Sequence, residues 1–285
     1  MSEKTIPFGS DSGLIGTVSV PSTPPKAGSR VGVLLFNAGI VHRVGPHRIN
    51  VYIARELAAR GIPAIRFDLA GHGDSARLTG AHSFEAQAVI DVRAAMDALG
   101  ATANVTKFVI FGYCSGAYHG FAAALEDERV AGLVMYDAYR YPTIKTHLYH
   151  YLDRLREPKL LPRVFRVLRG AIARSAGNEP PQAPELGRIN FYPAKADVGA
   201  GLRKLLERGV CIRMIYSGGH LRHYNYHRQF RDTFAAFGVA DRIPAAFLLE
   251  SDHVATSLTA HQALLQSIVT QTLDIAGQPA QRSVS

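Results

Sequence analysis

Only two cysteines, Cys114 and Cys211, occur in 285 residues, so at most one disulfide could form. That argues against a disulfide-stapled framework. Both positions read as lying at or near buried strands, where free thiols in a reducing compartment are the simpler expectation. No stretch reaches about 18 uncharged apolar residues, which argues against a membrane-spanning helix. The first residues also lack the basic start and apolar run of a secretory leader, so a soluble, cytoplasmic protein is expected. There is no internal repeat, no metal-ligand spacing and no phosphate-cradling glycine loop; no metal and no cofactor are expected. Acidic residues are in deficit, 23 against 32 Lys and Arg, for a formal charge of +9. The excess gathers in Arg154, Arg156, Lys159, Arg163, Arg166, Arg169 and Arg174. That segment lacks the aromatic interleaving of a base-stacking surface, so nucleic acid is not expected as a partner. Two readings remain for it: a solvated helical face, or a basic rim attracting an anionic substrate such as a CoA phosphate or an acidic carrier protein.

Against these absences stands a 47% hydrophobic content, enough for a sizeable core. Short apolar, β-branched runs alternate with helix-length stretches. The runs are Val31 to Phe36, Ala64 to Phe67, Phe108 to Phe111, Gly132 to Met135, Val210 to Tyr216 and Ala245 to Leu249. Tyr52 to Arg60, Phe84 to Leu99 and Gly116 to Leu125 read as helices between them. This is the rhythm of a mostly parallel, doubly wound α/β sheet. Residues 13–20 add an antiparallel strand before the Pro-rich break at 21–25. The rhythm lapses between 139 and 201, where no convincing strand appears and Asn178-Glu179-Pro180-Pro181-Gln182 signals a loop.

Gly112-Tyr113-Cys114-Ser115-Gly116 sits where the Phe108 to Phe111 strand gives way to a helix. In a nucleophile elbow the central residue is held on a strained turn, and glycines two places either side avoid clashes that a Cβ would cause. Here the central residue is cysteine. A thiol at a helix N-terminus near an imidazole is biased toward thiolate and is nucleophilic. Ser115 lacks the flanking symmetry, and its N–H is wanted elsewhere. Cys211 has no glycine frame and reads as a buried structural residue. The last strand, Ala245 to Leu249, runs into Glu250-Ser251-Asp252-His253 ahead of the C-terminal helix, which makes His253 the expected base among twelve histidines. The loop after Val31 to Phe36 begins Asn37-Ala38-Gly39, and the N–H groups of Gly39 and Ser115 are the expected oxyanion pair.

Taken together, Asn37-Ala38-Gly39, His42-Arg43-Val44-Gly45-Pro46-His47-Arg48, Arg66-Phe67-Asp68-Leu69-Ala70-Gly71-His72-Gly73-Asp74-Ser75 and the Cys114 elbow resemble the α/β-hydrolase superfamily. More narrowly they are similar to exosortase-system-associated hydrolases, which share a cysteine elbow and an Arg-Val-Gly-x-His-Arg stretch. The likeness is strong over roughly residues 31–140. It implies the α/β-hydrolase fold with a helical cap inserted after the sixth strand: core over 1–138, cap over 139–201, core again over 202–277 and a flexible tail over 278–285. It also implies an acid after the strand Val210 to Tyr216, yet that loop reads Ser217-Gly218-Gly219-His220. Asp137, after Gly132 to Met135, is the best substitute. Asp252, Glu250 and Asp241 are worse directed, and a Cys–His dyad stays open. Asp68 and Asp74 read as loop-holding residues.

The expected activity is acyl transfer to Cys114 and then to water, on a small-molecule ester or thioester, carried by CoA or a carrier protein in one version. Acyl transfer to an amine or alcohol, and a catalytically idle binding module, are the alternatives.

Overall fold

The computed structural model describes residues 1–22, 31–77, 82–156 and 193–277. Eight strands form one sheet: β1 (Ser2–Phe8), β2 (Leu14–Val20), β3 (Val31–Phe36), β4 (Ala64–Phe67), β5 (Lys107–Tyr113), β6 (Val130–Tyr136), β7 (Cys211–Ser217) and β8 (Ala245–Leu248). Their spatial order is β1-β2-β4-β3-β5-β6-β7-β8. The β1–β2 and β2–β4 pairs are antiparallel, and every pair from β4–β3 to β7–β8 is parallel. The helices are α1 (Ile49–Ala59), α2 (Phe84–Ala103), α3 (Ser115–Glu126), α4 (Ile144–Arg156), α5 (Lys195–Glu207), α6 (Gln229–Phe234) and α7 (Leu258–Gly277).

Parallel strands covered on both faces carry apolar side chains at every position, and alternate residues divide between two cores. Val33, Leu35, Val109, Phe111, Val134 and Ile215 pack beneath Ile53 and Leu57 of α1 and Leu264 and Ile268 of α7. Their neighbours Leu34, Phe36, Ile110, Leu133, Met135 and Met214 face the other way, toward Met96, Leu99, Phe121 and Leu202 of α2, α3 and α5. Each such side chain, fully buried, contributes about 1.5–3 kcal/mol of hydrophobic stabilisation. The α/β-hydrolase architecture expected from the sequence is the one observed.

Two elements escape the sequence reading. β1 is a polar edge strand, SEKTIPF, with no apolar run to announce it. α6 has only six residues. Within 139–201, α4 and the first half of α5 are described, while 157–192 lie outside the described residues, as does the tail from 278. α5 runs across residue 201, with Val198, Leu202, Leu205 and Leu206 in the core. No helix among the described residues is long and apolar enough to cross a membrane.

Because β3, β5, β6, β7 and β8 run in one direction, the loops that follow them emerge at one edge of the sheet. That edge gathers 37–43, 114–115, 137–140, 217–220 and 249–257 from five separate stretches of chain. In open α/β sheets this is the edge where ligands bind.

Candidate active site

Cys114 lies between the end of β5 and the start of α3 with φ +51° and ψ −117°, outside the basins that L-residues favour. Two backbone bonds hold it there: its N–H donates to the carbonyl of Tyr136 at 2.9 Å, and its carbonyl accepts from Ala117 N–H at 3.1 Å. The glycine frame is a steric requirement. A Cβ on Gly112 would stand 2.3 Å from Ala117 Cα, and one on Gly116 would stand 2.6 Å from the Asn37 carbonyl oxygen.

Asp137 follows β6, fully buried at φ +53°. Its carboxylate accepts from Ser217 N–H at 2.8 Å, from Ser217 Oγ at 2.6 Å and from His253 Nδ1 at 2.7 Å. With Nδ1 so engaged, the rest of the ring lies near enough to Cys114 for each side chain to shift the other's titration. Cys114, His253 and Asp137 are thus brought together, with the His253–Asp137 link a direct hydrogen bond. The other carboxylates point elsewhere: Asp252 caps the N–H groups of Val254 at 2.9 Å and Thr256 at 3.2 Å, Asp241 pairs with Arg231 at 3.0 Å, and Glu250 is exposed.

The electrostatics follow from these contacts. Burial pushes the Cys114 thiol up, but the His253 hydrogen bond and charge, with Arg140 and the Ser115 N–H, outweigh it and leave the group below its ordinary value. Burial likewise lowers His253, yet Asp137 and Cys114 carry its imidazole up to about 9. Asp137 is lowered despite burial, because His253 and Ser217 bond its charged form. At neutral pH all three shifts favour a thiolate–imidazolium–carboxylate arrangement. Cys211 is raised by burial, with only Arg213 opposing.

The absence of an acid after β7 has a spatial cause. A Cβ on Gly218 would stand 1.9 Å from the Leu249 carbonyl oxygen, and one on Gly219 would stand 2.4 Å from the His253 nitrogen. The β7 loop is pressed onto the histidine loop with no room for side chains at 218 and 219. Asp137 reaches His253 from β6 instead.

The loop after β3 is tied down from behind. Asn37 Nδ2 donates to Asp68 Oδ1 at 2.8 Å and to the Val41 carbonyl at 2.7 Å, and Asn37 Oδ1 accepts from Leu69 N–H at 2.6 Å. Buried Asp68 also accepts from Arg43 N–H at 2.7 Å and pairs with the Arg43 guanidinium, which reaches Asp74 at 2.6 Å. The Gly39 N–H does not stand open: it donates to Ser115 Oγ at 2.6 Å.

Sequence reasoning missed four participants. Tyr113 Oη donates to the His253 carbonyl, and Tyr136 Oη donates to the Asp252 carbonyl at 3.2 Å, so two strand tyrosines clamp the histidine loop. The Tyr136 ring also stacks parallel to the His253 ring at 6.1 Å. Ser217 orients Asp137, and His220 lies edge-on to His253 at 4.5 Å. Tyr113 occupies the variable place in the elbow and was the one available signal; Tyr136 and Ser217 depend on pairings across 80 residues or more, and His220 on one across 33.

Comparison with known proteins agrees with this architecture. No curated protein matches the chain. A lidless α/β serine hydrolase from Xanthomonas campestris superposes with a TM-score of 0.56 at 13% identity, covering 98% of this chain and 96% of that one. Proline iminopeptidase from Mycobacterium smegmatis gives 0.56 at 15%, covering 96% and 99%. An esterase from Pyrococcus furiosus gives 0.56 at 13%, covering 97% and 91%. At these identities the likeness is one of fold. The model of the alpha/beta hydrolase family matches residues 40–277, which span the elbow, Asp137 and His253, and the chain belongs to that family.

Proposed function

We propose that the protein is an acyl hydrolase of thioesterase or esterase type, with Cys114 as nucleophile, His253 as base and Asp137 as the acid that orients it. The observation that carries this reading is the convergence at a glycine-framed elbow of Cys114 and of His253, whose Nδ1 is hydrogen-bonded to buried Asp137, with Cys114 and His253 each shifting the other's titration. The solved esterase and peptidase folds support a hydrolytic role for such an elbow, and the lowered thiol supports sulfur as the attacking atom.

In this reading the Cys114 thiolate attacks the substrate carbonyl carbon. The developing oxyanion displaces Ser115 Oγ from the Gly39 N–H and takes a second bond from the Ser115 N–H. As the C–S bond forms, the His253 imidazolium protonates the departing thiol or alcohol, leaving an acyl-enzyme. Neutral His253 then takes a proton from water, hydroxide equivalent adds to the acyl carbon, and the Cys114 thiolate leaves. Asp137 stays charged throughout and holds the ring so that its second nitrogen faces sulfur. Thioesters suit the site, because exchanging one thiolate for another is nearly isoenergetic. Substrate choice is assigned to the cap read over 139–201, and its basic residues suit a phosphate-bearing carrier such as CoA.

The test is a panel of acyl-CoA and acyl-carrier thioesters beside simple esters, assayed with wild type and Cys114→Ala. Thioester turnover abolished by Cys114→Ala is expected. Full activity in that variant would overturn the assignment.

A further inference from the structure

His220 is a polar group without a role in the chemistry above. Its Nε2 is buried and has no hydrogen-bond partner, which leaves a desolvated lone pair or proton uncompensated at a cost of about 1–3 kcal/mol. Such an orphan in a native fold points to a water or an ion. One ring nitrogen from each of His220 and His253 and one Asp137 carboxylate oxygen lie within 4.8 Å of one another. Asp137 accepts three hydrogen bonds, so one of its roughly four lone-pair sites remains. Ligand atoms around a tetrahedral zinc stand about 3.3 Å apart, given bonds of about 2.0–2.1 Å. Binding would replace the proton between His253 Nδ1 and Asp137, opening that 2.7 Å pair, and would need the half-exposed His220 ring to turn toward them.

We propose that Asp137, His220 and His253 form a binding site for a borderline-soft divalent ion, of which zinc is the type, and that occupancy switches the Cys114 site off. Two imidazoles and one carboxylate suit zinc and the other late first-row divalent ions, unlike the all-oxygen sets that magnesium and calcium take. With Nδ1 of His253 on a dication, the other nitrogen becomes a poor proton acceptor, and the carboxylate no longer balances a protonated ring. The second cluster of this kind, His42, Asp68 and Asp74, differs in one decisive respect: the Arg43 guanidinium already lies between its two carboxylates.

Binding is measured by isothermal titration of metal-free full-length protein with zinc, then with cobalt for its absorption spectrum. Wild type and Cys114→Ser should both take up a tight equivalent that His220→Gln and His220→Ala lose. Bound cobalt should show no thiolate charge-transfer band, and zinc should slow Cys114 alkylation at least tenfold, reversed by EDTA. Unchanged stoichiometry in both His220 variants, loss of the site in Cys114→Ser, or a thiolate band in wild type would each overturn the proposal. Absence of binding in wild type would assign the orphan nitrogen to water. Because uptake by Cys114→Ser needs no turnover, these outcomes are independent of whether the acyl-hydrolase reading holds.

Discussion

Cys114 and Cys211 differ in every feature that sets thiol reactivity. Cys114 has a histidine beside it that lowers its titration and stands at a helix start; Cys211 opens a strand, half-buried, with its titration raised by burial. Iodoacetamide reacts with thiolate, so its rate follows the titration of each sulfur. Cys114 should label much faster than Cys211 at pH 7, and the gap should narrow as the pH rises far enough for Cys211, held up by burial, to ionise. Peptide mapping over pH 5–10 checks this; equal rates at neutral pH would contradict it. Asp137 makes a second residue-scale prediction. Asp137→Asn removes the charge that holds His253 protonated and should lower its titration from about 9. The resting thiolate is then lost, and turnover should fall by up to about 10⁴, the serine-enzyme value, with a smaller loss expected for sulfur. The pH–rate profile checks it: an unshifted profile in folded Asp137→Asn would show that another group orients the ring. That Cys114, His253 and Asp137 would meet at one edge of the sheet could be read because each follows a readable strand. Their partners were not. Tyr113, Tyr136 and Ser217 act through backbone and side-chain pairings 80 to 140 residues apart, which no local pattern encodes.

At the scale of elements, the site depends on two loops pressed together. The β7 loop lies so close to the histidine loop that Gly218 and Gly219 have no space for a Cβ. Gly219→Ala would drive a methyl into the His253 backbone nitrogen, and backbone cannot yield as a flexible side chain can. The variant should lose about 1–3 kcal/mol of stability, as overpacked sites do. It should also slow Cys114 labelling at pH 7, because His253 is displaced. Thermal melts beside labelling rates check both effects; wild-type values for each would show that the loops tolerate separation. Here the sequence signal was present but pointed the wrong way. Ser217-Gly218-Gly219-His220 reads as a loop that has lost its acid, whereas its glycines and serine are what let Asp137 serve from β6. Strands β3 to β8 were legible because burial on both faces makes them continuous apolar runs. β1 was not, since an edge strand facing solvent carries the charges that keep edges from pairing with other chains.

For the molecule as a whole, most of the net charge of +9 falls in a segment of which Arg154 and Arg156 end α4 and Lys159 to Arg174 lie outside the described residues. If that charge gathers a phosphate-bearing acyl carrier, kcat/KM for acyl-CoA should fall with added salt while that for a neutral simple ester should not, since exposed charges are screened over about 10 Å at 0.1 M. Parallel falls would assign the charge to a solvated face. All of this rests on sulfur as the attacking atom. The most direct measurement is therefore intact mass spectrometry with peptide mapping, after rapid acid quench of wild-type protein mixed with a reactive acyl thioester. The account predicts one acyl mass on the peptide carrying Cys114, absent from Cys114→Ala. An acyl group found on Ser115, or continued turnover by Cys114→Ala, would contradict it.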